Sequence, residues 1–232
     1  MKRLTAMGCS LFLLLGSLWA KEGDRKTEVD RLTKAGEILD EVMATPDKGI
    51  PEEIVAHAKC VAVVPSMMKA GFGIGGQYGQ GVVTCRTANG WSGPAFYRVA
   101  GGSFGLQIGG EAIDLVMLVM NDKGFKNLLA SKFKIGADAS AAAGPIGRHA
   151  GGDTDITMRA EILSYSRSRG AFAGLTLNGN VVQQNGGDTR DFYGHNVAFR
   201  DILLGTVKPP TASDAFLTSV RKNLAEPRAT AK

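Results

Sequence analysis

Val29, Leu32, Gly36, Leu39 and Met43 recur at alternating steps of three and four, which puts them on one face of a helix. The pattern predicts a helix from about Thr27 to Thr45, with Asp30, Arg31, Lys34, Glu37, Asp40 and Glu41 on its other face. Pro46-Asp-Lys-Gly breaks it, and Pro51 opens a short second helix ending near Lys59. The period then changes. Cys60-Val-Ala-Val-Val64 reads as a buried strand closed by Pro65. From Gly71 to Gly81 the odd positions are Gly71, Gly73, Gly75, Gln77, Gly79 and Gly81, while Phe72, Ile74 and Tyr78 fall on even ones. With a strand's period of two, one face is almost free of side chains. Glycine inside a strand gives up packing and entropy, so this face predicts a close approach by a ligand, a helix or another strand.

Val82 to Ala88, then Asn89-Gly90, then Trp91 carry a strong hairpin signal. A two-residue loop there pairs Gly71 with Ile108, Gly73 with Leu106, Gly75 with Phe104 and Tyr78 with Gly101, bulk opposite glycine, which suits a strongly coiled sheet. Pro94 cannot donate to the ladder, and a bulge at it would shift this register by one. Glu111 to Met120 reads as a core strand, too short to span a bilayer. Asn121-Asp122 caps a short helix with Phe125, Leu128 and Leu129. Ile135 to Gly147 reads as a small-residue strand, and Gly170 to Leu177 turns at Asn178-Gly179 into Val181 and Val182 as a second hairpin. A last amphipathic helix surrounds Phe216, Leu217, Val220 and Leu224.

Composition narrows the class. The 232 residues, 44% hydrophobic with 31 glycines, fit one sizeable domain and argue against an all-helical protein. Lys2 and Arg3, the apolar run at Leu11 to Leu15 and Ala20 read as a signal peptide over residues 1–20, so an exported protein is expected, periplasmic or secreted. The remaining chain then divides into a short linker (21–26), one domain (27–224) and a basic tail (225–232). Cleavage leaves 25 basic and 22 acidic residues, a mild excess that does not imply nucleic-acid binding. From Ile54 to Gly110 there is no acid, while Lys59, Lys69, Arg86 and Arg98 are present. That stretch is either a buried sheet with cations at its rim or a surface that seeks anions. Two cysteines remain after export, Cys60 and Cys85, and number and compartment together predict a disulfide.

Candidate chemistry is sparse. Gly71-x-Gly73-x-x-Gly76 matches a dinucleotide fingerprint without the following helix or ribose-binding acid. Ser66-Met-Met-Lys69 matches Ser-x-x-Lys without its partner motifs. His57, His149 and His195 are isolated, so neither a metal site nor a cofactor is expected. Asp138, in its run of small residues, is expected as a buried carboxylate held by an arginine.

Taken in order, Ala58-Lys-Cys-Val-Ala-Val-Val-Pro65, Lys69 to Gly81, Trp91-Ser-Gly-Pro-Ala-Phe96, Gly105-Leu-Gln-Ile-Gly109, Gly136-Ala-Asp-Ala-Ser140, Gly144-Pro-Ile-Gly147 and Tyr165 to Gly174 resemble the successive blocks of the SYLF domain family. The resemblance runs from about Val29 to Leu224. It implies a non-enzymatic phospholipid-binding module, since eukaryotic members bind phosphoinositides and bend membranes and yeast members also bind actin and its assembly factors. The expected signal peptide, and the lack of an SH3 or FYVE segment in these 232 residues, shift the expected role to an exported bacterial member. Its expected ligand is an anionic membrane phospholipid, with a protein partner in the envelope as the alternative. The candidate lipid-binding residues are Arg25, Lys26, Arg31 and Lys34 on the first helix, Lys69 beside the glycines, and Lys123, Lys126, Lys132 and Lys134. The fold expected is α+β: a strongly coiled antiparallel, glycine-rich sheet or partial barrel with N-terminal, central and C-terminal helices.

Overall fold

The computed structural model describes residues 8–44, 49–146, 159–168 and 171–224. Its centre is a long ribbon of two strands, β1 (Cys60–Thr87) and β3 (Ala95–Val119), antiparallel from Cys60↔Val119 to Val83↔Ala95. A straight strand of the 28 residues in β1 would reach about 90 Å. Instead Cys60 and Cys85 are joined by a disulfide with Cα atoms 3.9 Å apart, and the Arg86 amide donates to the Lys59 carbonyl at 2.7 Å. The strand curls until its ends meet.

Two features make the curl possible. Ser66, just after Pro65, has φ +50°, and the pairing slips between Val64 and Met67 and again between Phe72 and Ile74. The first half of β1 then lies across its second half. A Cβ on Gly79 would sit 2.5 Å from Val64 Cγ1, and one on Gly81 would sit 2.5 Å from the Val63 carbonyl oxygen. The close approach expected at the glycine face is made, at these two positions, by the same strand. Gln77, on that face, reaches Asn180 Oδ1 at 2.7 Å.

The eight strands form one curled mixed sheet, a half-barrel. β2 (Gly90–Trp91) turns back antiparallel on the end of β1, and β6 (Ile162–Ser168) pairs with β3 at Asp114 to Val119. β8 (Val181–Gln184) pairs with the other end of β3, Tyr97 to Ala100, and with β4 (Lys132–Lys134). β7 (Ala171–Gly174) is antiparallel to β6, whereas β5 (Ala141–Ala143) is parallel to it, so the sheet is not purely antiparallel.

Helix α1 runs unbroken from Gly8 to Met43, so residues 21–26, expected as a linker, are helical. Its Leu32, Ala35, Leu39 and Val42 are buried. The face is broader than the predicted stripe, and Val29 and Met43 pack at its margin. Among the described residues the other α-helices are α2 (Glu52–His57), α3 (Asp122–Leu129), α4 (Gly186–Tyr193), α5 (Phe199–Leu203) and α6 (Asp214–Asn223). α1 packs on β1, α4 and α6. Gly36 lets α6 come close, since a Cβ there would meet Ser219 Oγ at 3.1 Å.

Three local expectations are corrected. In the first hairpin Thr87 pairs with Gly90, so the turn centres on Ala88-Asn89. Gly90 takes φ +106° while Asn89 does not enter the left-handed region, unlike a two-residue type I′ turn. One extra residue between Trp91 and Ala95 then shifts the register at Pro94. Gly75 consequently pairs with Ser103 and Tyr78 with Ala100, the slip between Phe72 and Ile74 sets Gly71 opposite Gly109, and the expected alternation of bulk against glycine is lost. The turn at Asn178-Gly179 does not close a hairpin. Its Gly179 amide donates to the Ile135 carbonyl, and β8 is carried off to β3 and β4. Residues 135–146 do not form one strand, because Gly136 turns at φ +87°, and Gly147 lies outside the described residues. Asp138 is exposed on that turn, where its Oδ2 accepts the Lys134 amide at 2.7 Å.

The crossing of β1 over itself makes a sharp contrast between glycines. Gly81→Ala should destabilise by about 1–3 kcal/mol, because the atom it collides with is backbone. Gly76, with nothing within 4 Å of its would-be Cβ, should accept alanine within ~0.5 kcal/mol. Urea unfolding of the two variants measures this. Replacing Cys60 and Cys85 by serine should cost about 3 kcal/mol by releasing the loop between them.

Candidate functional site

Among the candidate cations, those on α1 divide by the side of the helix they occupy. Arg25, Lys26 and Lys34 are exposed. Arg31 is turned inward. Its side chain is only 10% exposed, its Nη1 lies 2.5 Å from Asp188 Oδ2 on α4, its Nη2 donates to Gln80 Oε1 at 2.9 Å, and its guanidinium lies 5.5 Å from the centre of the Phe96 ring. It is a structural tie between α1, β1 and α4.

Lys69 is half-buried in β1 opposite Glu111. Burial lowers its pKa, and the Glu111 carboxylate only partly opposes this. Lys123 reaches Glu161 Oε1 at 2.7 Å, on a carboxylate that Asn127 and Ser140 also bind. Burial would raise the Glu161 pKa, but the bonds from Lys123 and Ser140 outweigh it and the pKa is lowered. Lys126, Lys132 and Lys134 are exposed. On β4 the lysines flank buried Phe133, so both point to solvent from one face. The two exposed sets sit on separate elements, α1 and the α3–β4 unit.

An open cleft of about 390 Å³ separates α1 from the curled strand. Asp30, Arg31 and Lys34 form its helical wall, and Met68, Tyr78 and Gln80 its strand wall. Met68 is 52% and Tyr78 49% exposed. Half-exposed apolar side chains beside a free ammonium make a surface suited to a charged amphiphilic interface. Sequence reasoning did not single out Met68 or Gln80. The available signal was that Met68 and Tyr78 are large residues in a stretch otherwise poor in side chains.

The catalytic alternatives find no geometry. Ser66 is exposed at the bend and its amide donates to Asp114 Oδ1 at 2.9 Å, while Lys69 lies half-buried further along the strand. Gly71, Gly73 and Gly76 lie within β1 with no helix following. Among the described residues no group of three or more His, Cys, Asp or Glu could hold a metal ion. His57 and His195 each make a ring-nitrogen contact with a nearby backbone carbonyl, those of Glu53 and Tyr193. His149 lies outside the described residues.

A family model described as "Ysc84: Las17-binding protein actin regulator" matches residues 100–223. The chain is 34% identical over 171 residues to SH3 domain-containing YSC84-like protein 1 of Rattus norvegicus, covering 73% of this chain and 50% of the relative. Against the Homo sapiens protein of that name the identity is 34% over 174 residues, covering 74% and 51%. LAS seventeen-binding protein 3 of Saccharomyces cerevisiae is 33% identical over 174 residues, covering 72% of this chain and 37% of that protein. The chain thus spans about half the length of the mammalian relatives. Binding is named in the family's description and in the yeast relative's name.

The inward turn of Arg31 separates stability from surface chemistry. Arg31→Met should cost about 2–4 kcal/mol in chemical denaturation, because it leaves the Asp188 carboxylate unpaired in a largely enclosed position. Lys34→Met, on the exposed flank, should change stability by less than ~0.5 kcal/mol.

Proposed function

The chain belongs to the Ysc84 (SYLF) family, and from that membership we propose that it is a peripheral, non-enzymatic phospholipid-binding module that docks on anionic membrane surfaces. The observation that carries this reading is the exposed cationic flank of α1, with Arg25, Lys26 and Lys34, beside a cleft that leaves Met68 and Tyr78 half-exposed. Cations near an anionic leaflet contribute on the order of 1 kcal/mol each, and apolar side chains at the interface add a term that salt does not screen. Lys126, Lys132 and Lys134 form a second cationic surface. Arg31 and Lys69 are committed within the fold and contribute to the shape of the site more than to its charge, while Lys123 is exposed but paired with Glu161. The signal-peptide pattern of residues 1–20 supports export and action at a cell envelope.

A second reading is a protein-binding module. It is favoured by the yeast relative's name, which states that it binds LAS seventeen, and by the family's description as an actin regulator.

The test is co-sedimentation with vesicles of neutral phosphatidylcholine, with and without an anionic phospholipid. Deleting α1 is unsuitable, since Leu32 and Leu39 would leave the core. Lys26→Gln with Lys34→Gln should instead raise the dissociation constant for anionic vesicles about 30-fold, from roughly 2 kcal/mol of lost attraction. Added salt should weaken wild-type binding similarly. Equal affinity for neutral vesicles, or none for either, would overturn the lipid reading, and capture of a protein partner without vesicle binding would favour the second.

A further inference from the structure

Glu28 stands one turn before Arg31 on α1, facing α4. Its side chain is buried at 4% exposure, and its Oε2 has no hydrogen-bond partner among the described residues. A carboxylate so placed is far costlier ionised than neutral. The charged groups around it are Asp188 and Asp191 on α4 and Arg31 on its own helix. Two negative charges face it against one positive, and the Arg31 guanidinium is already engaged by Asp188 and Gln80. β3 contributes Arg98 to this region, but its Nη2 is turned onto Asn185 Oδ1 at 2.7 Å. Arg98 Nε and Asn185 Nδ2 are also buried without partners. The seam between α1, β3 and α4 therefore holds three unsatisfied buried polar atoms, in a protein where such atoms are normally paired.

We propose that this seam is a proton-operated latch: with Glu28 neutral, α1 is held against α4, and with Glu28 ionised the N-terminal part of α1 is released. The latch rests on the reading of α1 as the membrane-docking helix, whose availability it would regulate. Release frees the turn carrying Val29 and Leu32, so apolar groups join the already exposed Lys26 and Lys34 at the surface.

The direction follows from the surroundings. Burial first, then the Asp188 charge, push the Glu28 pKa up to about 7 from 4.5, against the lowering pull of its own backbone amide and of Arg31. The closed seam thus binds a proton that the open one releases. Its stability is fully present below about pH 4.5, falls as pH rises through that window, and is lost above about 7.

Hydrogen exchange on the full chain tests the latch without any lipid. After correction for intrinsic rates, the opening constant of amides in residues 28–34 should rise on the order of tenfold to a hundredfold between pH 5 and 8. Amides of Phe216 to Val220 on α6 report whether the change is local and should stay constant. Glu28→Gln should hold the opening constant low and flat across this range. Asp191→Asn, which removes one of the opposing charges, should shrink the rise in the opening constant and end it at lower pH, because ionised Glu28 becomes easier to bury. A pH-independent wild type, or an undiminished pH dependence in Glu28→Gln, overturns the latch. Anionic-vesicle binding measured at pH 5.5 and 8 reads the other premise separately: a seam that opens with pH while binding stays constant overturns the docking role of α1 and leaves the latch standing.

Discussion

The half-barrel depends on one contact, the passage of the first half of β1 over its second half at Gly79 and Gly81. The Val63 carbonyl and the Val64 side chain occupy the space that side chains at those two positions would need. Any larger residue would hold the halves apart, and the Cys60–Cys85 closure would then be out of reach. β3 follows β1 through the curl by pairing with it along nearly its whole length. The other strands add only where the ribbon's ends come to the core: β8 at Tyr97 to Ala100 and β6 at Asp114 to Val119. Between these, the paired strands carry the glycines and project the wall of the cleft.

The amount of this that was legible in the sequence depends on the range of the interaction. The period of two in Gly71 to Gly81 and the apolar stripe of α1 are local patterns, and both specify a face. The blocks shared with the family specify the α+β half-barrel. What the glycine face meets was not legible, because the answer lies in a bend at Ser66 whose left-handed φ no glycine announces. The hairpin register failed over one residue. Asn89-Gly90 offers a two-residue turn, but Gly90 closes a turn centred on Ala88-Asn89, and the stretch before Ala95 adds a residue that the alternating pattern does not encode. Asp138 was misplaced for a related reason: Gly136 permits a turn within a run of small residues that also suits a strand.

Arg31 shows the same limit at the candidate site. Next to Asp30 and three residues before Lys34, it reads as part of a solvated basic face. Its partners are Asp188 and Phe96, distant in sequence and brought close only by the fold. A faint signal was present, since Glu28 and Ala35, three residues before and four after Arg31 on one helix face, are both buried. An arginine between buried positions needs a partner, and the acids on α4 provide it.

The charge order of α1 has the same origin. Its basic residues lie toward the start and its acids toward the end, opposite to what the helix dipole favours. The two acids of the last turn, Asp40 and Glu41, have tertiary partners that outweigh that local cost. Asp40 accepts bonds from Asn223, Ser219 and Lys222 on α6, and the Asn223 bond, followed by those from Lys222 and Ser219, lowers its pKa despite partial burial. Glu41 pairs with Arg167 on β6, which also holds Asp114 on β3. The C-terminal half of α1 is thereby bolted to the sheet and to α6 by ion pairs and hydrogen bonds. Toward its other end, among the described residues, the ion pair is Arg31–Asp188, backed by the Arg31 bond to Gln80, and next to it stands Glu28, a buried acid whose Oε2 is unpaired. The helix is therefore anchored unequally. A segment held firmly at one end and marginally at the other moves by hinging at the firm end, which is the motion that would present the exposed cations of α1 while leaving the core at Leu39 and Val42 intact.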